Sequence, residues 1–269
     1  MVQSFLKGIN DLIGGEFYEK EVYSIYGVPS VGKSVYLMEE VANFLNQGYR
    51  VIWIDTEGGF RGNWSVWTPV FISKFPNMKP ENFHYEKVLD LEGFCALFGM
   101  EVGIEYGKSK MEVTPLKIDE KDSPLYKEFG RLKGKVVIVV DSFTSPIKLQ
   151  FTSKVQNFSG RADAESLMLW NLVKFAERVN GIVILSNHES KNPTDIYHSQ
   201  GKLRGGDTVK YYSKYILQVN KPMKKAWANF RQVIAVRTPV APDNSLSNWL
   251  RIDKEGYNDT TEEEVSKTA

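Results

Sequence analysis

The sequence predicts an α/β fold with a mostly parallel central sheet and helices on both faces, and three observations predict it. Three short runs of β-branched and aliphatic residues, each bounded by turn residues, read as strands buried on both faces: Arg50–Asp55 (RVIWID), Lys135–Asp141 (KVVIVVD) and Gly181–Ser186 (GIVILS). Segments with helical spacing of apolar residues lie between them. A glycine-containing turn joins a fourth, more aromatic strand candidate, Glu21–Tyr26, to one of those helices. Strands that alternate with helices in this way form βαβ units.

Two helices stand out. Residues 34–47 (SVYLMEEVANFLNQ) place Val35, Leu37, Met38, Val41, Phe44 and Leu45 on an apolar side, and Gly48 supplies a stop. Residues 162–179 form the longest candidate, with Leu167, Leu169, Trp170, Leu172, Val173, Phe175, Ala176 and Val179 apolar. Two stretches break the rhythm. Residues 103–135 are polar, contain Pro115 and Pro124, and read as an irregular excursion from a single core domain spanning residues 1–255. Residues 256–269 are polar and acidic, and read as a disordered tail.

Composition narrows the class without choosing a partner. The 269 residues are 42% hydrophobic and 25% charged with a formal net charge of +1, so nucleic-acid binding would require basic residues gathered on one surface. The single cysteine, Cys95, excludes an internal disulfide and a thiolate metal cluster, and a reducing compartment is the natural expectation. The longest purely aliphatic run, Val136 to Val140, is too short for a membrane span, and the first residues lack the apolar segment of a leader. These features together read as a soluble, cytoplasmic chain without a membrane partner.

Residues 27–34 (GVPSVGKS) fit the phosphate-binding pattern G-x-x-x-x-G-K-[ST] without a mismatch, after a strand candidate and before a helix. The loop, Gly27, Val28, Pro29, Ser30, Val31 and Gly32, would turn backbone N–H groups towards phosphate oxygens, with Val35 in the first turn of the helix behind it. Lys33 would reach the β- and γ-phosphates of ATP, and the Ser34 hydroxyl would ligate Mg²⁺. Asp141 ends the strongest strand at the sheet edge where ligands of open α/β folds bind, which suits a second magnesium ligand. Glu57 follows the Val51–Ile54 strand in IDTEGGFR, where a carboxylate could orient or deprotonate the attacking water.

With those residues in place, the chain resembles the RecA/RadA recombinase superfamily, most closely the archaeal RadA-like proteins and their short, RadB-like paralogs. The resemblance runs in order through GINDLIGG (residues 8–15), GVPSVGKS, IDTEGGFR (54–61), VVDSFTS (139–145), Gly160-Arg161-Ala162-Asp163, Leu185-Ser186-Asn187-His188 and Gly205-Gly206. It implies a RecA-like ATPase core, a catalytic Glu57, and two DNA-binding loops, the second over residues 189–204. It also implies DNA contacts from Arg161, Lys191, Lys202 and Arg204.

Departures from the family pattern qualify what is carried over. His188 stands where the family has a glutamine that senses the γ-phosphate, and Trp64 stands where an arginine packs on adenine, so an indole could stack there. The few residues before Gly8 do not resemble the family's N-terminal domain and subunit-joining motif. The expectation is a recombinase paralog or accessory protein, single- or double-stranded DNA and a RadA-type recombinase being its partners, with homo-oligomer formation left open. A regulatory ATP-binding module with little turnover and a KaiC-like signalling ATPase are the alternatives.

Residues 202–237 hold nine basic residues against one acid, Asp207, with Tyr211, Tyr212, Tyr215, Trp227 and Phe230 interleaved. That composition suits a groove for phosphates and stacked bases. A solvated face balanced by the acidic tail is the competing reading.

Overall fold

A computed structural model describes residues 2–106, 111–150, 158–190, 202–203, 205–222 and 225–267. In chain order its elements are α1 (Lys7–Ile13), β1 (Val22–Gly27), α2 (Lys33–Asn46), β2 (Arg50–Asp55), α3 (Phe60–Lys74), β3 (Phe83–Lys87), α4 (Leu91–Leu97), β4 (Met100–Tyr106) and β5 (Met111–Ile118). There follow α5 (Pro124–Phe129), β6 (Val136–Asp141), α6 (Ser145–Gln150), α7 (Phe158–Val179), β7 (Ile182–Ser190), β8 (Lys202–Leu203), α8 (Gly206–Tyr212) and β9 (Tyr215–Asn220). The chain closes with β10 (Phe230–Arg237), β11 (Ser245–Leu246), β12 (Trp249–Asp253), β13 (Gly256–Thr260) and α9 (Glu262–Lys267).

The main sheet runs β13-β12-β10-β9-β1-β7-β6-β2-β3. From β9 to β3 every neighbouring pair is parallel. From β9 outwards to β13 the pairs are antiparallel. The change follows from the connections. Helical crossovers return the chain in the same direction, whereas short links such as residues 254–255 reverse it. The fold is therefore the mixed, mostly parallel α/β architecture that the strand runs predicted.

Both sheet faces are covered, which explains why β6 reads as an unbroken aliphatic run. Val137 and Val139 pack with Leu37, Val41, Phe44 and Trp53 on the face carrying α2. Val136, Ile138 and Val140 pack with Phe94, Leu125, Leu169 and Phe175 on the opposite face. Alternate residues serve alternate cores because the strand period is two.

Three segments differ from expectation. Residues 103–135 contain the antiparallel ribbon β4–β5 and α5, and Val113, Leu125 and Phe129 bury themselves in the second core. The expected disordered tail is instead β13, in register with β12 from Trp249↔Thr260 to Asp253↔Gly256, followed by α9. Its polar sequence belongs to a sheet edge, and Tyr257 and Val265 are both 1% exposed. The helix α3 packs Phe60, Trp64, Trp67 and Phe71 on the first core, but exposed Val66 and Ile72 blur that apolar face in the sequence, and Pro69 lies within it. Among the described residues, no helix is long and apolar enough to cross a membrane.

Candidate nucleotide-binding site

The parallel register gathers the motif residues along one edge of the sheet. Gly27 at the end of β1 lies opposite His188 of β7, and Asp141 at the end of β6 lies opposite Asp55 of β2. Lys33, Ser34, Glu57, Asp141 and His188 thus converge from three strand ends and one helix start, although they span most of the chain. This is the edge at which open α/β sheets take ligands.

The loop between β1 and α2 depends on its glycines for defined reasons. A Cβ on Gly27 would stand 2.5 Å from the Val219 carbonyl of β9. Gly32 has φ 104°, and a Cβ there would stand 2.4 Å from the Tyr257 hydroxyl. Ser30 also takes a positive φ of 60°. Turn conformations of this kind are suited to an anion-binding nest, which the N-terminus of α2 would continue. Val31 is buried, and Pro29 and Ser30 are exposed.

Lys33 is buried, and its ammonium donates to the Gly27 and Val28 carbonyls at 3.0 and 3.1 Å. Burial lowers its pKa, while Asp141, Glu57 and Glu189 act in the opposite sense. Asp141 is its counterpart. Burial raises that carboxyl, the hydroxyls of Ser186 and Ser34 counter the rise, and Glu57 adds to it.

Glu57 is held by its neighbours. Its Oε1 accepts from Ser142 Oγ, Ser145 Oγ and His188 Nε2, each at 2.8 Å. The His188 hydrogen bond is the main reason the carboxyl falls to about 2, burial opposes that fall, and the two serines reinforce it. Sequence reading missed the groups that aim it. Buried Asp55 accepts from the backbone N–H groups of Glu57, Gly58 and Phe60 and from the Tyr85 hydroxyl, and so shapes the turn. Thr56 donates from its hydroxyl to the Ser142 carbonyl and from its N–H to the Asp141 carbonyl, tying that turn to β6. An Asp three residues before a Gly-Gly pair is the available signal, because short carboxylates cap turns of this kind.

Other expectations are met unevenly. Trp64 stacks on Phe83 with an interplanar angle of 4° and packs on Phe60 and Phe71, so core packing accounts for its ring and adenine stacking gains no support. Arg161 starts α7 half-buried, and Lys202 is placed in β8 beside β7. Lys191 and Arg204 lie outside the described residues.

The basic stretch needs correction as a surface. Arg231 and Phe230 are buried, Tyr215 packs on Tyr23, and Lys214 pairs with Glu21. Of the interleaved aromatics suited to stacking bases, Tyr211 is the large exposed one at 82%.

No family model matches the chain. The "DNA repair and recombination protein RadB" of Methanococcus maripaludis is 22% identical over 213 residues, 79% of this chain and 82% of the relative. The protein of the same name from Pyrococcus horikoshii is 25% identical over 261 residues, 95% and 92% of the two chains. A solved structure titled "Crystal structure of the RadB recombinase" superposes with a TM-score of 0.64 at 20% identity, covering 97% of this chain and all of that one. The fold is RecA-like, and the chain's relatives over most of its length are RadB proteins, recombinase paralogs of the RecA/RadA family.

Proposed function

We propose that the protein is a Mg²⁺-dependent, DNA-stimulated ATPase of the RecA/RadA type, acting in recombination or repair as a paralog or accessory protein. The observation that carries this reading is the convergence of Lys33, Ser34, Asp141 and Glu57 at one sheet edge, with Glu57 oriented by three hydrogen bonds. The names of the relatives support the biological setting.

Each residue has a distinct task in this reading. The backbone of residues 27–32 and the Lys33 ammonium hold the triphosphate. Ser34 and Asp141 are the groups suited to Mg²⁺. The fit is chemical, since Mg²⁺ is usually bound through one or two protein oxygens together with substrate phosphates and water. The described residues hold no group of three or more His, Cys, Asp or Glu that could cage a metal alone. Burial leaves the Asp141 carboxyl raised, so a divalent cation there would restore its ionised form. Bound Mg²⁺ would neutralise charge developing on the phosphates.

Glu57 orients the attacking water, and His188 contacts that carboxylate and lies opposite Gly27, the first residue of the phosphate loop, in the β1–β7 register. His188 is the candidate γ-phosphate sensor. Arg161, Lys191, Lys202 and Arg204 are the proposed DNA contacts, with a RadA-type recombinase or a second copy of the chain as protein partner. Phosphate release with and without single-stranded DNA tests the assignment. Glu57→Gln should lower kcat by roughly 100-fold or more while ATP affinity stays within about threefold. Unchanged turnover would remove Glu57 from the mechanism.

One observation favours a second reading, a regulatory ATP-binding module with little turnover. A carboxylate committed to three donors, with its pKa near 2, is a weak base. DNA that fails to raise turnover above a very low basal rate would select this alternative.

A further inference from the structure

The phosphate loop is braced from below by Arg231, a residue of the basic stretch 202–237. Arg231 opens β10 and is 5% exposed. Its Nε donates to the Val31 carbonyl at 2.6 Å, and its Nη1 donates to the Ala228 and Phe230 carbonyls at 2.7 Å each. The guanidinium is thereby fixed to its own turn and grips the phosphate loop with what remains. Tyr257 of β13 brings its hydroxyl to 3.5 Å from the same Val31 carbonyl and fills the space beside Gly32.

A trans peptide unit points its C=O and the following N–H in opposite directions. Holding the Val31 carbonyl down against Arg231 therefore turns the Gly32 N–H up, away from the sheet and into the cradle. Gly32 can accept that plane because its φ of 104° suits glycine. We infer that Arg231, assisted by Tyr257, is a positioning residue that sets the Val31–Gly32 peptide so that the Gly32 N–H donates to a nucleotide phosphate. This rests on the proposal that the loop binds ATP.

The brace also recruits distant chain. Ile252 N donates to the Asn229 carbonyl, and Tyr257 N donates to Glu39 of α2. The β12–β13 hairpin thus clamps both the turn that carries Arg231 and the helix behind the loop. A guanidinium held by three carbonyls places a buried positive charge under a site for anions, which adds to the pull of the helix N-terminus.

The test is ATP·Mg²⁺ affinity, steady-state kinetics and the Gly32 amide resonance in wild type, Arg231→Met, Arg231→Lys and Tyr257→Phe, below the melting temperature of every variant. Wild type should bind ATP with a downfield shift of the Gly32 amide proton. Failure there overturns the ATP reading itself. If wild type binds, Arg231→Met should weaken ATP at least tenfold, raise KM with kcat changed less than threefold, and shrink the Gly32 shift. Arg231→Lys, which keeps the charge but not the fork, should recover part of the affinity, and Tyr257→Phe should lose about twofold. If Arg231→Met does not fold, Arg231→Lys decides: affinity and Gly32 shift equal to wild type overturn the inference, as they would in Arg231→Met. A fall in kcat at constant KM would also overturn it.

Discussion

Glu39 and Glu40 are consecutive residues of α2, both buried, and they are compensated by different means. Glu39 meets the Lys74 ammonium and the Tyr257 N–H, so its charge has a cationic partner. Glu40 accepts from neutral donors, Ser4 Oγ at 2.6 Å and Asn43 Nδ2 at 2.8 Å, and burial pushes it up to about 7. The folded chain therefore holds a proton at Glu40 that the unfolded chain has already released above the ordinary carboxylate range near 4.5. Stability contributed by this group is full below that range and declines as pH rises towards 7. Melting temperature should fall between pH 5 and pH 8, roughly in proportion to a loss of 1–3 kcal/mol. Glu40→Gln should flatten part of that slope, with Glu165, also raised to about 7 by burial, contributing to the remainder. A wild-type melting temperature that is constant across this window would contradict the assignment.

At the scale of elements, the β12–β13 hairpin matters more than its composition suggested. Leu250 is 1% exposed and lines a small apolar cavity with Ile25, Tyr36, Val219 and Tyr257, next to the phosphate loop. Leu250→Ala enlarges that cavity and should destabilise the chain by about 2–5 kcal/mol, read from denaturant midpoints. The parallel strands were legible because β-branched runs closed by Asp, Ser or Gly leave little choice of structure. The helix α2 was legible through its apolar spacing and Gly48. The antiparallel strands β12 and β13 were not, since β13 (GYNDT) has Tyr257 as its one large apolar side chain and no alternation, and the acidic run of α9 outweighs it in composition. In the site, Lys33, Ser34, Asp141 and Glu57 were found from spacing and strand ends. Asp55, Thr56, Ser142 and Arg231 were missed because their roles are made by contacts between distant segments. Composition counted the charge of Arg231 but could not say which way its side chain points.

For the whole molecule, charge distribution limits how strongly nucleic acid can be held. The chain is nearly neutral, and several basic side chains are engaged: Lys214 with Glu21, Lys74 with Glu39, Lys20 with Glu177. If the DNA contacts are the four proposed, Arg161, Lys191, Lys202 and Arg204, single-stranded binding should lose affinity with a log–log salt slope of about −3. Anisotropy titrations of a labelled oligonucleotide across salt concentrations measure this slope. Replacing Lys202 and Arg204 together by Ala should reduce its magnitude by roughly 1.4. A slope unaffected by both changes would move the interface elsewhere.

The strand that leads into the phosphate loop, β1, pairs on one side with β7 and on the other with β9, and the floor of that loop comes from β10 and β13. Almost nothing that supports residues 27–34 is encoded near them. During synthesis the glycine loop leaves the ribosome before these neighbours, which emerge more than a hundred residues later, so the pairing is non-local and slow by nature. A nascent chain must therefore extend past Tyr257 before the floor of this loop is in place, and a product truncated before Tyr257 would carry the complete motif without the support that β13 gives it.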